Sequence, residues 1–213
     1  MELLEAGSLA DFVSASGPLD ESVISFILRE LLIALQYLHG QGKVHRDVKG
    51  GNILVASDGQ CKLADFGVAT ELNETMNKKT TRIGSPHWMA PEVIMQASYD
   101  GCADIWSTGI TAIELAKGTP PYADSFSHIQ VVYMIPHNPA PILEGDQFSL
   151  EFKDFVKQCL NKSAQDRPTA AALLTHPFLL KAEKTSSWTS AVAKHVLRKV
   201  TQPRFVFRIL RLF

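Results

Sequence analysis

Between Asp20 and His39, apolar side chains fall at Val23, Ile24, Ile27, Leu28, Leu31, Leu35 and Leu38, in steps of three and four. That spacing gathers them on one face and predicts an amphipathic helix, with Asp20 as N-cap after the "SGP" break and Gly40 closing it. Residues 101–117, "GCADIWSTGITAIELAK", are apolar on nearly every face and predict a buried central helix. "GTPPY" ends it, because proline cannot continue a helix. Shorter helical patterns cover about 149–160 and 168–175. Between the two long patterns lie three short segments that read as strands or loops: "KVH", "ILVA" and "CKLA". The last two are joined by "SDGQ", which has hairpin-turn chemistry. Residues 70–87 are polar and aperiodic and read as a long loop, of the kind that is usually functional or disordered. The expected fold is mainly α with short β-hairpins and no sheet of consequence.

With 213 residues the chain can bury a full core in one domain. Its 46% hydrophobic and 20% charged residues belong to a soluble globular composition. Charge divides the chain. Residues 1–183 hold all 22 acidic residues and 14 of the 21 basic ones, while 184–213 hold seven cations and no acid. The break predicts a globular body over 1–183 and a basic, apolar tail over 184–213, disordered or unrelated to the body, in which Pro203 interrupts any helix. Such a tail could touch an acidic membrane surface. Nucleic acid is not an expected partner. Cys61, Cys102 and Cys159 are odd in number and form no C-x-x-C pair, so neither a disulfide framework nor a zinc site is expected. Their use fits a reducing, cytoplasmic setting. The acidic start "MELLEAGSLADF" is not a secretory signal. No stretch reaches the roughly 18–20 apolar residues a membrane span needs.

The chemistry concentrates in "KVHRDVKGGNILV", residues 43–55. His-Arg-Asp-x-Lys-x-x-Asn over 45–52 is followed by Asp-Phe-Gly at 65–67 and Ala-Pro-Glu at 90–92, with intervals of 12 and 22 residues. Each motif alone is weak. In this order and context the set resembles the large C-terminal lobe of protein kinases, from Met1 to about Lys181. The β-rich N-lobe of that family, with its Gly-rich loop and lysine strand, has no counterpart here.

The resemblance implies a Mg²⁺- and ATP-dependent enzyme. Asp47 would be the base that accepts the substrate hydroxyl proton, and Lys49 the cation beside the transferring phosphoryl. Asn52 and Asp65 would hold Mg²⁺ through hard oxygen atoms. Leu54 would form the lower adenine wall, with hinge contacts at Glu2 and Leu4 and Met1 at the gatekeeper position. His45 and Phe66 would belong to a hydrophobic column. Asp104 would bind the catalytic-loop backbone, because a buried carboxylate needs such partners. Glu92 and Arg167 would form a buried ion pair. Ser85 stands where serine/threonine kinases carry threonine, and with Lys49 it favours Ser/Thr acceptors. Arg46 before Asp47 implies control by phosphorylation of the loop, at Thr81 or, as runner-up, Thr80.

"LADFGVAT", "GSPHWMAPEVI", "YMIPHNPAP" and "DFVKQCLNKSAQDRPTAAALLTHPF" resemble the sterile-twenty class of serine/threonine kinases, and within it the Hippo-type branch. Protein substrates with Ser/Thr acceptors follow as partners, together with an upstream activating kinase or trans-autophosphorylation. Without an N-lobe the 213 residues are expected to be a fragment, inactive alone. The alternative is a non-catalytic binding module that competes for substrates or upstream kinases.

Overall fold

A computed structural model describes residues 4–65, 70–71, 85–97, 99–180 and 182–201. Strand β1 (Gly7–Ser8) leads into helix α1 (Leu9–Ser16) through a capping box, in which Ser8 and Asp11 each bond the other's amide. This satisfies two amides that the helix start leaves without partners. Helix α2 (Glu21–Gly40) follows Asp20 as the pattern predicts and runs through Gly40. The Asp20 side chain makes no cap bond; Glu21 instead binds the amide and hydroxyl of Ser149.

After α2 come β2 (Lys43–Val44), a short 3₁₀ turn at Gly50–Asn52, β3 (Ile53–Val55), β4 (Cys61–Leu63) and β5 (Thr70–Glu71). The segments "ILV" and "CKL" form the predicted hairpin, with Ile53 opposite Leu63 and Val55 opposite Cys61. Strand β1 adds to its other edge, Ser8 facing Leu54, so the sheet order is β1-β3-β4. Strand β2 pairs separately with β5, antiparallel, which gives one end of the expected 70–87 loop a regular partner.

The second half is helical: α3 (Pro91–Ile94), α4 (Cys102–Lys117), α5 (His128–His137), α6 (Leu150–Cys159), α7 (Ala170–Leu173), α8 (Pro177–Leu180) and α9 (Ser186–Thr201). Helix α4 is the predicted central one, and every residue from Ala103 to Ala116 is buried. Each fully buried Ile, Leu or Val there contributes about 1.5–3 kcal/mol relative to exposure. Gly109 faces α6, where a β-carbon would come within 2.7 Å of Cys159 Cβ. Only glycine lets the two helices pack so closely.

Helix α2, with 20 residues, is long and apolar enough to cross a bilayer by length and composition. That corrects the expectation that no stretch qualifies. Its Ile24, Ile27, Leu28, Leu32 and Leu35 nevertheless lie fully inside the core that α4 shares.

The charge break predicts a tail without order, and here the structure differs. Helix α9 presents Trp188, Val192 and His195, spaced four and three apart, to the body. The Trp188 ring meets Phe12 of α1 edge-on at 5.0 Å, and its Nε1 donates to the Gly59 carbonyl in the hairpin turn at 2.9 Å. Lys184 reaches Asp58 of the same turn at 3.4 Å. Truncating a buried tryptophan costs about 3–5 kcal/mol. Trp188→Ala should therefore lower the urea-unfolding free energy by about 3 kcal/mol, with exposed Ser187→Ala as an unchanged control. Equal midpoints for the two variants would show that α9 is not seated on the body.

Candidate active site

The loop from His45 to Asn52 is fixed from below by α4. Asp104 is fully buried, and its carboxylate accepts from the amides of His45 (2.9 Å) and Arg46 (2.8 Å). His39 Nε2 of α2 completes the set at 2.8 Å. Held this way, Arg46 adopts φ +73°. The left-handed conformation costs a non-glycine residue about 1–2 kcal/mol, so the two carboxylate bonds maintain a strained backbone directly before Asp47.

His45 is buried, as expected of a packing residue, but it also links segments. Its Nδ1 accepts from the Asp47 amide at 3.4 Å, which leaves Nε2 as donor to the Ala64 carbonyl at 3.0 Å. The Ala64 amide in turn donates to the Asn52 carbonyl at 2.8 Å. These bonds tie residue 64 to both ends of the loop and so bring Asp65, itself at φ +65°, alongside Asn52.

Four of the residues singled out by sequence form one polar network. Lys49 Nζ donates to Asp47 Oδ2 at 2.8 Å and to Ser85 Oγ at 2.7 Å. Asn52 Nδ2 donates to the Asp47 carbonyl at 2.7 Å and to its Oδ2 at 2.8 Å. Asp47 is thereby held between a cation and an amide, and Lys49 joins the loop to the segment that follows the Asp-Phe-Gly motif. The Arg46 side chain turns elsewhere and lies over the Tyr99 ring, 5.2 Å from its centre. Leu54 sits opposite Ser8 on the sheet, and the Leu4 carbonyl accepts from the Gly7 amide, so both lie at the β1–β3 edge.

Glu92 and Arg167 form the expected ion pair. Arg167 Nη1 and Nη2 reach Glu92 Oε1 and Oε2 at 2.6 and 2.8 Å, a bidentate match of fork to carboxylate. The guanidinium also donates to the carbonyls of Cys102 and Asn161 and stacks on Trp106. Glu2, Phe66, Thr80 and Thr81 lie outside the described residues.

One residue that the site uses gives almost no signal in the sequence. Glu114 of α4 accepts from the Gly50 amide at 3.0 Å and from the Trp88 indole at 2.9 Å. It shows in the chain only as a second carboxylate, after Asp104, within a largely apolar helical run. The hydroxyl of Ser107 on the same helix donates to the Trp88 carbonyl at 2.7 Å.

Among the described residues, no three His, Cys, Asp or Glu side chains form a metal cluster. The candidate divalent-cation ligands are of a different kind. Asn52 commits its Nδ2 to Asp47, which leaves the amide oxygen available, and Asp65 adds a carboxylate nearby. Hard oxygen donors of this sort suit Mg²⁺ rather than zinc.

A mainly α body, a carboxylate–lysine–serine network on a loop anchored to a buried helix, and a bidentate Glu–Arg pair together make up a protein kinase large lobe. The chain belongs to the protein kinase family: residues 1–179 match the protein kinase domain. It is 50% identical over 184 residues to the protein "Serine/threonine-protein kinase cst-1" of Caenorhabditis elegans. The alignment takes in 85% of this chain and 37% of that relative, so the chain spans little more than a third of the relative's length.

A buried N–H deprived of its acceptor costs about 1–3 kcal/mol. Asp104→Ala strips two loop amides at once and should destabilise the chain by about 3 kcal/mol in urea unfolding. Asp104→Asn, which keeps one acceptor oxygen, should cost clearly less. A loss below about 0.5 kcal/mol in the alanine variant would mean that the loop does not depend on this anchor.

Proposed function

We propose that the chain is the large lobe of a Mg²⁺- and ATP-dependent protein serine/threonine kinase of the sterile-twenty class, Hippo-type branch. The observation that carries this reading is Lys49 Nζ bridging Asp47 and Ser85 at 2.8 and 2.7 Å. An acceptor hydroxyl lying against Asp47 gives up its proton to the carboxylate. A lone pair on the hydroxyl oxygen attacks the γ-phosphorus of ATP, and the bond to the departing ADP oxygen breaks. Oδ2 is already engaged by Lys49 and Asn52, so Oδ1 is the oxygen that receives the proton. Lys49 supplies positive charge where the phosphoryl oxygens pass. Asn52 and Asp65 would hold Mg²⁺, which would supply charge neutralisation at the phosphates.

Ser85, bonded to Lys49 as in serine/threonine kinases, would favour Ser or Thr over Tyr acceptors. The adenine would rest on Leu54, with Leu4 and Glu2 at the hinge edge. Arg46 would meet a phosphate on Thr81 or Thr80, trading its aromatic contact with Tyr99 for an ionic one. His45, Phe66, Asp104, Glu92 and Arg167 serve as scaffold around these groups. Ser/Thr-bearing proteins are the substrates, an upstream kinase or a second kinase copy supplies the activating phosphate, and the free thiols suit a cytoplasmic setting.

The test is phosphate transfer from ATP to a Ser/Thr peptide, with the chain joined to the N-terminal lobe of the nematode relative. Transfer should depend on Mg²⁺, and Asp47→Ala should lower kcat by about 10²–10⁴-fold, the usual contribution of a positioned base. Undiminished turnover in that variant would refute Asp47 as the base.

A further inference from the structure

We propose that His87 and His128 form an acid-sensitive latch, which holds the segment from Ser85 to Trp88 against the start of helix α5. The latch itself stands on geometry; its consequence for phosphate transfer rests on the role given to Ser85 above. His87 is the middle residue of a 3₁₀ turn, Pro86–Trp88, and is only 7% exposed. Its ring meets that of His128, the first residue of α5, edge-on at 5.3 Å and 83°. On its other side lies the Trp88 ring, at 5.8 Å.

The segment is held differently on its two sides. Toward α4 and the loop over 45–52 it is held by hydrogen bonds. Lys49 donates to Ser85 Oγ, Ser107 Oγ donates to the Trp88 carbonyl, and the Trp88 indole donates to Glu114. Toward α5, no hydrogen bond joins 85–88 to 128–137 among the described residues, and one imidazole rests on the other.

A seam of this kind needs neutral rings. Nε2 of His87 is buried and has no hydrogen-bond partner. An imidazolium carries an N–H at each nitrogen, so protonation leaves a charged donor at Nε2 with nothing to accept it. A second charge on His128 then repels the first across the 5.3 Å between the rings. Burial, and after it the charge of His128, lower the proton affinity of His87 from its ordinary value. The other charged groups packed around the segment are already engaged. Glu114 of α4 binds the Gly50 amide and the Trp88 indole, Lys49 binds Asp47 and Ser85, and Glu92 binds Arg167.

The open segment therefore takes up a proton more readily than the latched one. Above the ordinary histidine value of about 6.5 both forms are neutral and the latch is intact. As pH falls below that value the open form gains by up to about tenfold per pH unit for one proton. The gain levels off once the lowered His87 value is passed. Acid thus releases the α5 side of the segment while Lys49, Ser107 and Glu114 still hold the other. In the kinase reading this raises KM for the acceptor peptide more than it lowers kcat.

NMR on the 213-residue chain tests the latch. The His87 ring resonances should titrate at a lower pH in the folded chain than in the same chain unfolded in urea. The Trp88 amide donates to the Ser85 carbonyl, and the Val131 amide to the Ser127 carbonyl. Their protection, corrected for intrinsic exchange, should fall at least about fivefold between about pH 7.5 and about pH 5.5. Ile110, buried in α4, is the control and should change far less. His128→Gln, at an exposed position, should recover part of the loss by removing the second charge, and His87→Phe should remove the loss altogether. Where His87→Phe fails to fold, the titration and the glutamine variant decide. The latch is overturned if His87 titrates in the folded chain at or above its value in urea. It is equally overturned if Ile110 loses protection in step with Trp88, or if His128→Gln loses as much as the parent chain. None of these readouts involves phosphate transfer, so an inactive chain counts against the proposed function and not against the latch.

Discussion

The structure turns on a carboxylate placed where carboxylates rarely survive, in a helix buried along its length. Asp104 is accessible to no solvent, and an ionised group there is tolerated only with a full set of donors. The donors are the amides of His45 and Arg46 and the imidazole of His39. One buried charge therefore dictates the path of the loop above it, down to the left-handed backbone of Arg46. From that path follow the placement of Asp47, its contact with Lys49, and the reach of Lys49 to Ser85. The loop over 45–52 is irregular in form, yet its start is anchored to the core through two backbone amides.

A second consequence concerns Asn52 and Asp65. They are thirteen positions apart, and the β3–β4 hairpin between them folds back so that Ala64 pairs with Asn52. His45 reinforces the return by bonding the Ala64 carbonyl. The hairpin is thus more than a local ornament. It closes a loop of sequence and brings the backbone at Ala64, directly before Asp65, against Asn52, with strand β1 and the docked helix α9 buttressing its outer edge and turn.

Much of this is legible in the sequence, for identifiable reasons. Helices α2 and α4 stand out because their apolar spacing is unbroken over four turns or more. The hairpin follows from turn chemistry between two short apolar runs. Motif order singles out Asp47, Lys49, Asn52 and Glu92, the resemblance to protein kinases adds Ser85, Asp104 and Arg167, and their hydrogen bonds give that set a shape. Other features are hidden by competing signals. Helix α5 carries Pro136 in its last turn and exposes Ile129 and Tyr133, while Val131 and Ile135 face inward, so its apolar face is blurred. Helix α9 is masked by its basic charge and by Pro203, although Trp188, Val192 and His195 already hold the spacing of a buried stripe. Glu114 is invisible for a third reason: it lies outside the quoted motifs, and nothing in a linear pattern tells whether a carboxylate in a core helix has donors waiting across the fold.

The central claim is that the loop over 45–52 and the β1–β3 edge together form the floor of a nucleotide site with a divalent cation at Asn52. An NMR titration of the 213-residue chain with ATP, in the presence and absence of Mg²⁺, addresses it most directly. Mg²⁺ and ATP together should shift the Asn52 side-chain amide and the Leu54 backbone amide in a saturable way, and ATP alone should shift Asn52 far less. Saturating Mg²⁺ and ATP that leave Asn52 and Leu54 unmoved, or that act only at surfaces remote from the loop, would contradict it.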